Sequence, residues 1–285
     1  MSQTISEAAV AFRLAVSGST IGELNFPTSL DASRRVLKAV ENPDLGLAAL
    51  AKIVVAEPLL SAKVIRLANS VALNPANQTV RDVRQAVLRV GMDPIKSLAM
   101  VLIMDQLRQT QRHMGCRDLS NRLWERSVHI AALSYVLARK LTRLNADEVM
   151  FAGIVHDLGR FYLLSRVADF PVLLEDTVVL AETINDLANH ASDLVLGQLN
   201  LPASVMDAVF ASRQFSGAMP PASLGDILFI ASALSPRRDP FDELDARVIP
   251  VANSAVTLGL DQGMVSEVIA ASGDEIYSIV VALES

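Results

Sequence analysis

His156 and Asp157 stand side by side in "FAGIVHDLGRF" (151–161), an otherwise apolar segment. An imidazole and a carboxylate in this register can both ligate a divalent ion that activates water for hydrolysis. Such a centre needs more than two converging donors, with one coordination position left open for the water. A metal-dependent phosphohydrolase or phosphodiesterase acting on nucleotides would therefore require His129, His190 or Asp193 to join the dyad. Other chemistries have less support. Cys116 has His113 nearby, but both fall in a polar joint with no third group to orient them as a thiol catalyst. The glycines of "GIVHDLG" bracket a helix turn rather than a strand-to-helix phosphate loop.

The elements that must carry these residues read as helices with short connections. "SLDASRRVLKAV" (29–40) places Leu30, Val36, Leu37 and Val40 on one face. Asp44 is expected to cap a helix over 45–56, and Pro58 to open the next. In that helix Leu60, Val64, Leu67 and Ala68 recur at i, i+4, i+7 and i+8, an apolar stripe. Asn69 and Ser70 end it, with side chains short enough to bond the backbone groups freed there. Thr79 and Asp82 have the spacing of a capping box, Gly91 ends the helix that follows, and Pro94 starts another. Beyond a polar joint at 109–120, a long helix is expected from Asn121 to Leu141. Asn145 caps the next, with Glu148 at its third position, and that helix carries the dyad to a stop near Gly159. "DFP" (169–171) breaks the chain, a helix spans 181–199, and "LP" (201–202) starts another. "FSGAMPPASLGD" and "SPRRDPFDELD" read as loops, the second before the final helices. No segment alternates convincingly with period two, and no repeat of fixed period is present. The fold class is all-α.

Composition agrees: 51% of the 285 residues are hydrophobic and only 5% aromatic, enough for a large helical core. The longest apolar runs, such as "LAMVLIM" (98–104), fall short of the roughly 18 residues of a membrane span, and the N-terminus lacks the pattern of a secretory signal. With one cysteine and therefore no internal disulfide, a reduced, cytoplasmic setting is expected. Charge is uneven. Residues 1–143 hold 19 Lys and Arg against 11 Asp and Glu, net +8, and residues 144–285 hold 6 against 20, net −14. Either the halves neutralise each other within one globule or the basic half meets an anionic partner. Nucleic acid is disfavoured, because the acidic half repels it and no aromatic residues interleave the basic ones.

"AEPLLSAKVIRLANSVALN" (56–74), followed by "VRDVRQAVLRVGMDPIKSLAM" (80–100), resembles the N-terminal half of the HDOD family, the HD-related output domain of bacterial signalling proteins. The matching positions are Glu57-Pro58-Leu59, Lys63, Leu67-Ala68-Asn69-Ser70, Ala86-Val87 and Val90-Gly91, and the likeness runs from about Phe26 to Leu234. The resemblance implies a multi-helix HD-like domain (116–285) with an additional N-terminal helical bundle (1–115). It also implies an output role in bacterial signal transduction. With no receiver or sensor domain in the sequence, the input is expected from a separate protein.

An HD-type hydrolase draws its metal ligands from a His, the adjacent His-Asp pair and a distant Asp. The dyad is present here, but Arg126 stands in "Trp124-Glu125-Arg126-Ser127" where the first His belongs. A guanidinium keeps its proton and repels a cation. The last Asp is replaced by Ser232, and Asp226 is nearly two helical turns away. His190 sits about two residues short of the family's spacing, and "DAVFASRQF" (207–215) has no His. No metal and no cofactor are expected. The vestigial His156 and Asp157 should remain as a buried pair, with Arg126 bonded to Asp157 where a metal would have sat. The expected function is a non-enzymatic regulatory module that binds a signalling partner protein, or a small anionic ligand or nucleotide. Arg126, His129, His156, Asp157 and Arg160 are the candidate contacts, and a homodimer is compatible with the apolar composition.

Overall fold

The computed structural model describes residues 4–18, 31–40, 42, 44–109, 114–199, 201–245, 247 and 262–284, apart from the side chains of residues 31–34, 107, 114 and 262. Leu30, His113, Phe26 and the start of the final helical region lie outside the described residues. All regular structure among the described residues is helical, as the sequence predicts. The helices are α1 (Ile5–Ser17), α2 (Asp31–Val40), α3 (Leu47–Val55), α4 (Pro58–Ala68), α5 (Val83–Val90), α6 (Met92–Gln109) and α7 (Met114–Leu141). They continue with α8 (Ala146–Val155), α9 (Leu158–Val167), α10 (Thr177–Gln198), α11 (Ala203–Ala211), α12 (Leu224–Leu234), α13 (Gln262–Ala271) and α14 (Gly273–Glu284). A short 3-10 turn, Pro171–Glu175, joins α9 to α10.

Helices α2 to α6 form a layer in which α5 packs on α3 and α4, and α6 packs on α2 and α4. The apolar stripe of α4 is buried as its spacing predicts, at Leu60, Val64, Leu67 and Ala68. Asn69 closes that helix by bonding backbone alone: Nδ2 donates to Ile65 O and Val80 O, and Oδ1 accepts from Val80 N. The expected Thr79 cap does not form. Asp82 takes the place instead, accepting from Gln85 N at 3.0 Å. The expected Asp44 cap is likewise absent. Asn42 Oδ1 accepts from Asp44 N in a side-chain turn, and the helix starts two residues later behind Gly46. Gly91 ends α5 with φ of 83°, a conformation other residues resist. Helix α6 starts at Met92, so Pro94 sits inside the first turn and does not open it.

Helix α7 is the spine of the molecule. Its 28 residues span roughly 42 Å at 1.5 Å per residue, and α8, α12, α13 and α14 all pack on it. It starts seven residues before the expected Asn121. The polar joint hid a buried stripe, Cys116, Leu119, Ser120 and Leu123, at i, i+3, i+4 and i+7. Helix α8 can approach α7 closely because residue 153 is glycine: a Cβ there would lie 2.7 Å from Ala131 Cα. Asn145 caps α8 as predicted, accepting from Asp147 N and Glu148 N. Helix α10 begins at Thr177, earlier than expected, behind the Asp176 cap that accepts from Val178 N and Val179 N. Four ion pairs, Arg13–Asp186, Arg122–Glu243, Arg126–Asp157 and Lys140–Glu275, join bases of the first half to acids of the second. The two charge excesses meet within one fold.

Candidate functional site

The dyad sits at the bend between α8 and α9. Helix α8 stops at Val155, earlier than the predicted stop near Gly159. His156 takes its C-cap and Asp157 the N-cap of α9. Gly159 lies in the first turn of α9 and lets that helix press on α10, since a Cβ would meet Ser192 N at 2.3 Å. Two glycines therefore set the depth at which the dyad is held, one against α7 and one against α10.

Arg126 of α7 and Ser232 of α12 complete the site. Arg126 donates from Nη2 to Ser232 Oγ at 2.7 Å, and its Nη1 lies 3.6 Å from Asp157 Oδ2 and 3.5 Å from His156 Nε2. The expected contact between Arg126 and Asp157 is thus present, but as a long ion pair; the strongest bond of the guanidinium goes to Ser232. His156 Nδ1 donates to Gly153 O at 2.7 Å, because a carbonyl can only accept. Its Nε2 then faces Asp157 Oδ2 at 3.0 Å, an ion contact without the alignment of a hydrogen bond. A neutral ring offers Nε2 as acceptor to Arg126, and a protonated one offers it as donor to Asp157.

Arg160, one turn into α9, bonds Asp157 Oδ1 at 3.1 Å, Asp239 Oδ2 at 2.5 Å and Asn185 Oδ1 at 3.1 Å. The side chain of Asp157 is only 6% exposed. Burial works to raise its carboxyl, but the charges of His156, Arg160 and Arg126 outweigh burial and hold it well below the usual carboxylate range. Burial works against the Arg160 charge in the same way, and Asp239, Asp157 and Asp242 more than compensate.

A divalent ion does not fit these residues. The ring of His156 is posed as a metal ligand would be, with Nδ1 anchored on a backbone carbonyl and Nε2 facing inward. What it faces is a guanidinium whose Nη1 is within 3.6 Å of both dyad residues. Among the described residues no three His, Cys, Asp or Glu side chains converge as a metal site requires. An adjoining cavity of about 200 Å³, edged by Arg160, Ser192, Arg213 and Ser232, is smaller than the roughly 300–1,000 Å³ of ordinary small-molecule pockets.

The other candidates lie elsewhere. His129 points to Ser235, 3.5 Å from Nδ1 to Oγ, and its ring is pushed down by burial and by Arg237. His190 is exposed, and Asp193 pairs with Arg213 at 2.5 Å. Asp226 caps α12 and holds the preceding loop through Ser216 N and Ala222 N, outside the site as expected. Cys116 is buried, which pushes its thiol up and away from nucleophilic use. Sequence reasoning missed Asp239 and Asn185, the partners of Arg160. The one available signal was the three-residue spacing of Asp239, Asp242 and Asp245; Asn185 Nδ2 donates to the last two.

Comparison with known proteins gives three results. The family model for the HDOD domain matches residues 26–214. No curated protein matches the chain. Among solved structures, one from Shewanella amazonensis SB2B, bearing the name of a metal-dependent phosphohydrolase, has a TM-score of 0.70. Its identity is 20% over 98% of this chain and 99% of that one. An HDOD domain protein of unknown function from Geobacter sulfurreducens gives 0.61 at 19% identity, over 99% and 98% of the two chains. A structure from Marinobacter aquaeolei VT8, named for signal transduction, gives 0.58 at 18% identity, over 99% of this chain and 66% of that one. At these identities the likeness is one of fold. No helix among the described residues is long and apolar enough to cross a membrane.

Proposed function

Because the chain belongs to the HDOD family, we propose that it is a non-enzymatic signal-transduction output module that acts by binding a partner protein. The observation that carries this reading is the position of Arg126. Its guanidinium bonds Ser232 at 2.7 Å and lies against both His156 and Asp157, in the space a catalytic ion would need. A fixed cation there repels a metal, and it lies against the two atoms that would ligate one, His156 Nε2 and Asp157 Oδ2. The cavity of about 200 Å³ beside the dyad, small against the roughly 300–1,000 Å³ of ordinary small-molecule pockets, also favours a protein partner over a nucleotide.

Metal-dependent hydrolysis is the competing reading, and one measurement separates the two. Elemental analysis of the purified chain should find no near-stoichiometric manganese, iron, nickel or zinc. The same preparation, assayed with added metal, should not turn over p-nitrophenyl phosphate, bis-p-nitrophenyl phosphate or cyclic dinucleotides. Bound metal together with turnover abolished by Asp157→Ala would sink the proposal.

A further inference from the structure

The segment 236–245, which follows α12, is not helical, and side-chain bonds tie it to three helices. Asp239 Oδ2 accepts from Arg160 Nη1 of α9 at 2.5 Å. Asp242 Oδ1 and Asp245 Oδ2 accept from Asn185 Nδ2 of α10 at 3.3 and 3.1 Å. Glu243 pairs with Arg122 of α7, and Arg237 lies 3.5 Å from Glu125 of the same helix. Phe241 is fully buried, with the Arg160 guanidinium 5.7 Å over its ring. Asp239 also builds the turn inside the segment, since its Oδ1 accepts from Phe241 N at 2.9 Å and Asp242 N at 3.3 Å. Pro236, Arg237 and Arg238 form the exposed edge.

Through Arg160 this segment is joined to the dyad. Nη1 of Arg160 serves two carboxylates at once, Asp239 of the segment and Asp157 Oδ1 at 3.1 Å. The other oxygen of Asp157 faces Arg126 Nη1 at 3.6 Å. Charges therefore alternate along a row of four: Arg126, Asp157, Arg160 and Asp239. Their side chains are between 6% and 17% exposed, so water screens the row weakly and each member alters the pull on the next. Neither Arg126 nor Asp157 bonds the segment directly. Their charges reach it nonetheless. The Asp242 carboxyl, pushed up by partial burial and by Asp239, is pulled down by Arg160 and Arg126 and pushed up by Asp157.

We infer that the segment 236–245 is a strap whose grip is set by the dyad through Arg160. The alternating row fixes the sign. Where the negative charge of Asp157 is removed or drawn off, Nη1 of Arg160 turns wholly to Asp239 and the strap tightens. Where Arg126 is removed, Asp157 holds Arg160 more strongly and the strap loosens. Such coupling travels through contiguous bonds and is reciprocal. It gives a change at the buried dyad a route to the surface at Arg237 and Arg238. The coupling requires only the four charges, so it stands apart from the partner-binding reading and from the metal content of the chain.

The test is hydrogen exchange of the full chain. The strap is read at the backbone amides of residues 241–245, all bonded within its turn. Amides in the middle of α7 report global opening in the same sample. Asp239→Asn, which breaks the clamp itself, should speed strap exchange by about tenfold. Asp157→Asn should slow it and Arg126→Gln should speed it, each by about threefold. Both substitutions break a buried pair and so raise global opening. Opposite shifts at the strap are therefore a signature that general loosening does not produce. Ser232→Ala is a milder change that keeps the test open if R126Q does not fold. It takes the 2.7 Å bond from Arg126, whose charge then leans on Asp157, and should slow the strap as D157N does. Strap shifts of the same sign in D157N and R126Q, faster or unchanged exchange in S232A, or an unchanged strap in D239N overturns the proposal.

Discussion

At the scale of single residues, the site turns on which cation Asp157 sees. Two guanidinium groups and an imidazole surround its carboxylate, at 3.6, 3.1 and 3.0 Å. Arg126→Ala removes the bond to Ser232 and leaves a void beside the dyad, and should cost about 2 kcal/mol in denaturant unfolding. Replacing Arg126 by His together with Ser232 by Asp puts two donors where the guanidinium now reaches. The double variant should copurify with, or be thermally stabilised by, a divalent transition metal, while R126H alone should gain much less. Lys63 gives a prediction on pH. Burial, with Arg66 adding to it, pushes its ammonium down to about 8 despite Asp105 and Glu284. In the unfolded chain it titrates near 10.4. Between these values the unfolded state holds more protons, so stability from this group rises as pH goes from about 8 to about 10.5. Subtracting the Lys63→Met profile from that of the wild type should isolate this rise; a flat difference would refute it.

At the scale of elements, two glycines set the spacing on which the site depends. Gly159→Ala drives a Cβ into Ser192 N and Oγ, at 2.3 and 2.5 Å, where backbone cannot yield. The helix-propensity gain of up to about 1 kcal/mol is outweighed, and a net loss of about 2 kcal/mol is expected by thermal melting. Gly153→Ala should behave in the same sense through Ala131 Cα. The helices themselves were legible in the sequence. Asn145, Pro58 and Gly91 act as boundary signals, and the stripe of α4 is buried as its period requires. The misplacements have local causes. Asp44 and Thr79 have the chemistry of caps, but Asn42 engages the backbone of Asp44 and Asp82 caps in place of Thr79. The start of α7 was hidden because "GCRDLS" is polar by count and buries Cys116, Leu119 and Ser120 only through its period. In the site, Arg126, His156, Asp157 and Ser232 could be aligned from local motifs. Asp239 and Asn185 could not, since the spacing of Asp239, Asp242 and Asp245 does not name Arg160 as a partner and Asn185 stands in no motif.

At the scale of the molecule, the parts hold one another. Buried residues from α1 to α14 form a single continuous core, α6 packs on α8 and α9, and α14 bridges α4 and α7. Calorimetry should therefore show one cooperative transition, with calorimetric and van't Hoff enthalpies in agreement. Two resolved transitions would instead mean that the segments expected on either side of about residue 115 fold independently. The uneven charge is consistent with this unity, because bases of the first half meet acids of the second in the half-exposed pairs of α1, α7 and α14. The clasp of Lys63 on Leu283 O also has a consequence for synthesis. Its two partners are 220 residues apart. At about 5–20 residues per second, a ribosome needs roughly 10–40 s to deliver the second after the first. During that interval the surface of α4 that later faces α14 stays uncovered, so the nascent chain carries an exposed apolar face until α14 emerges.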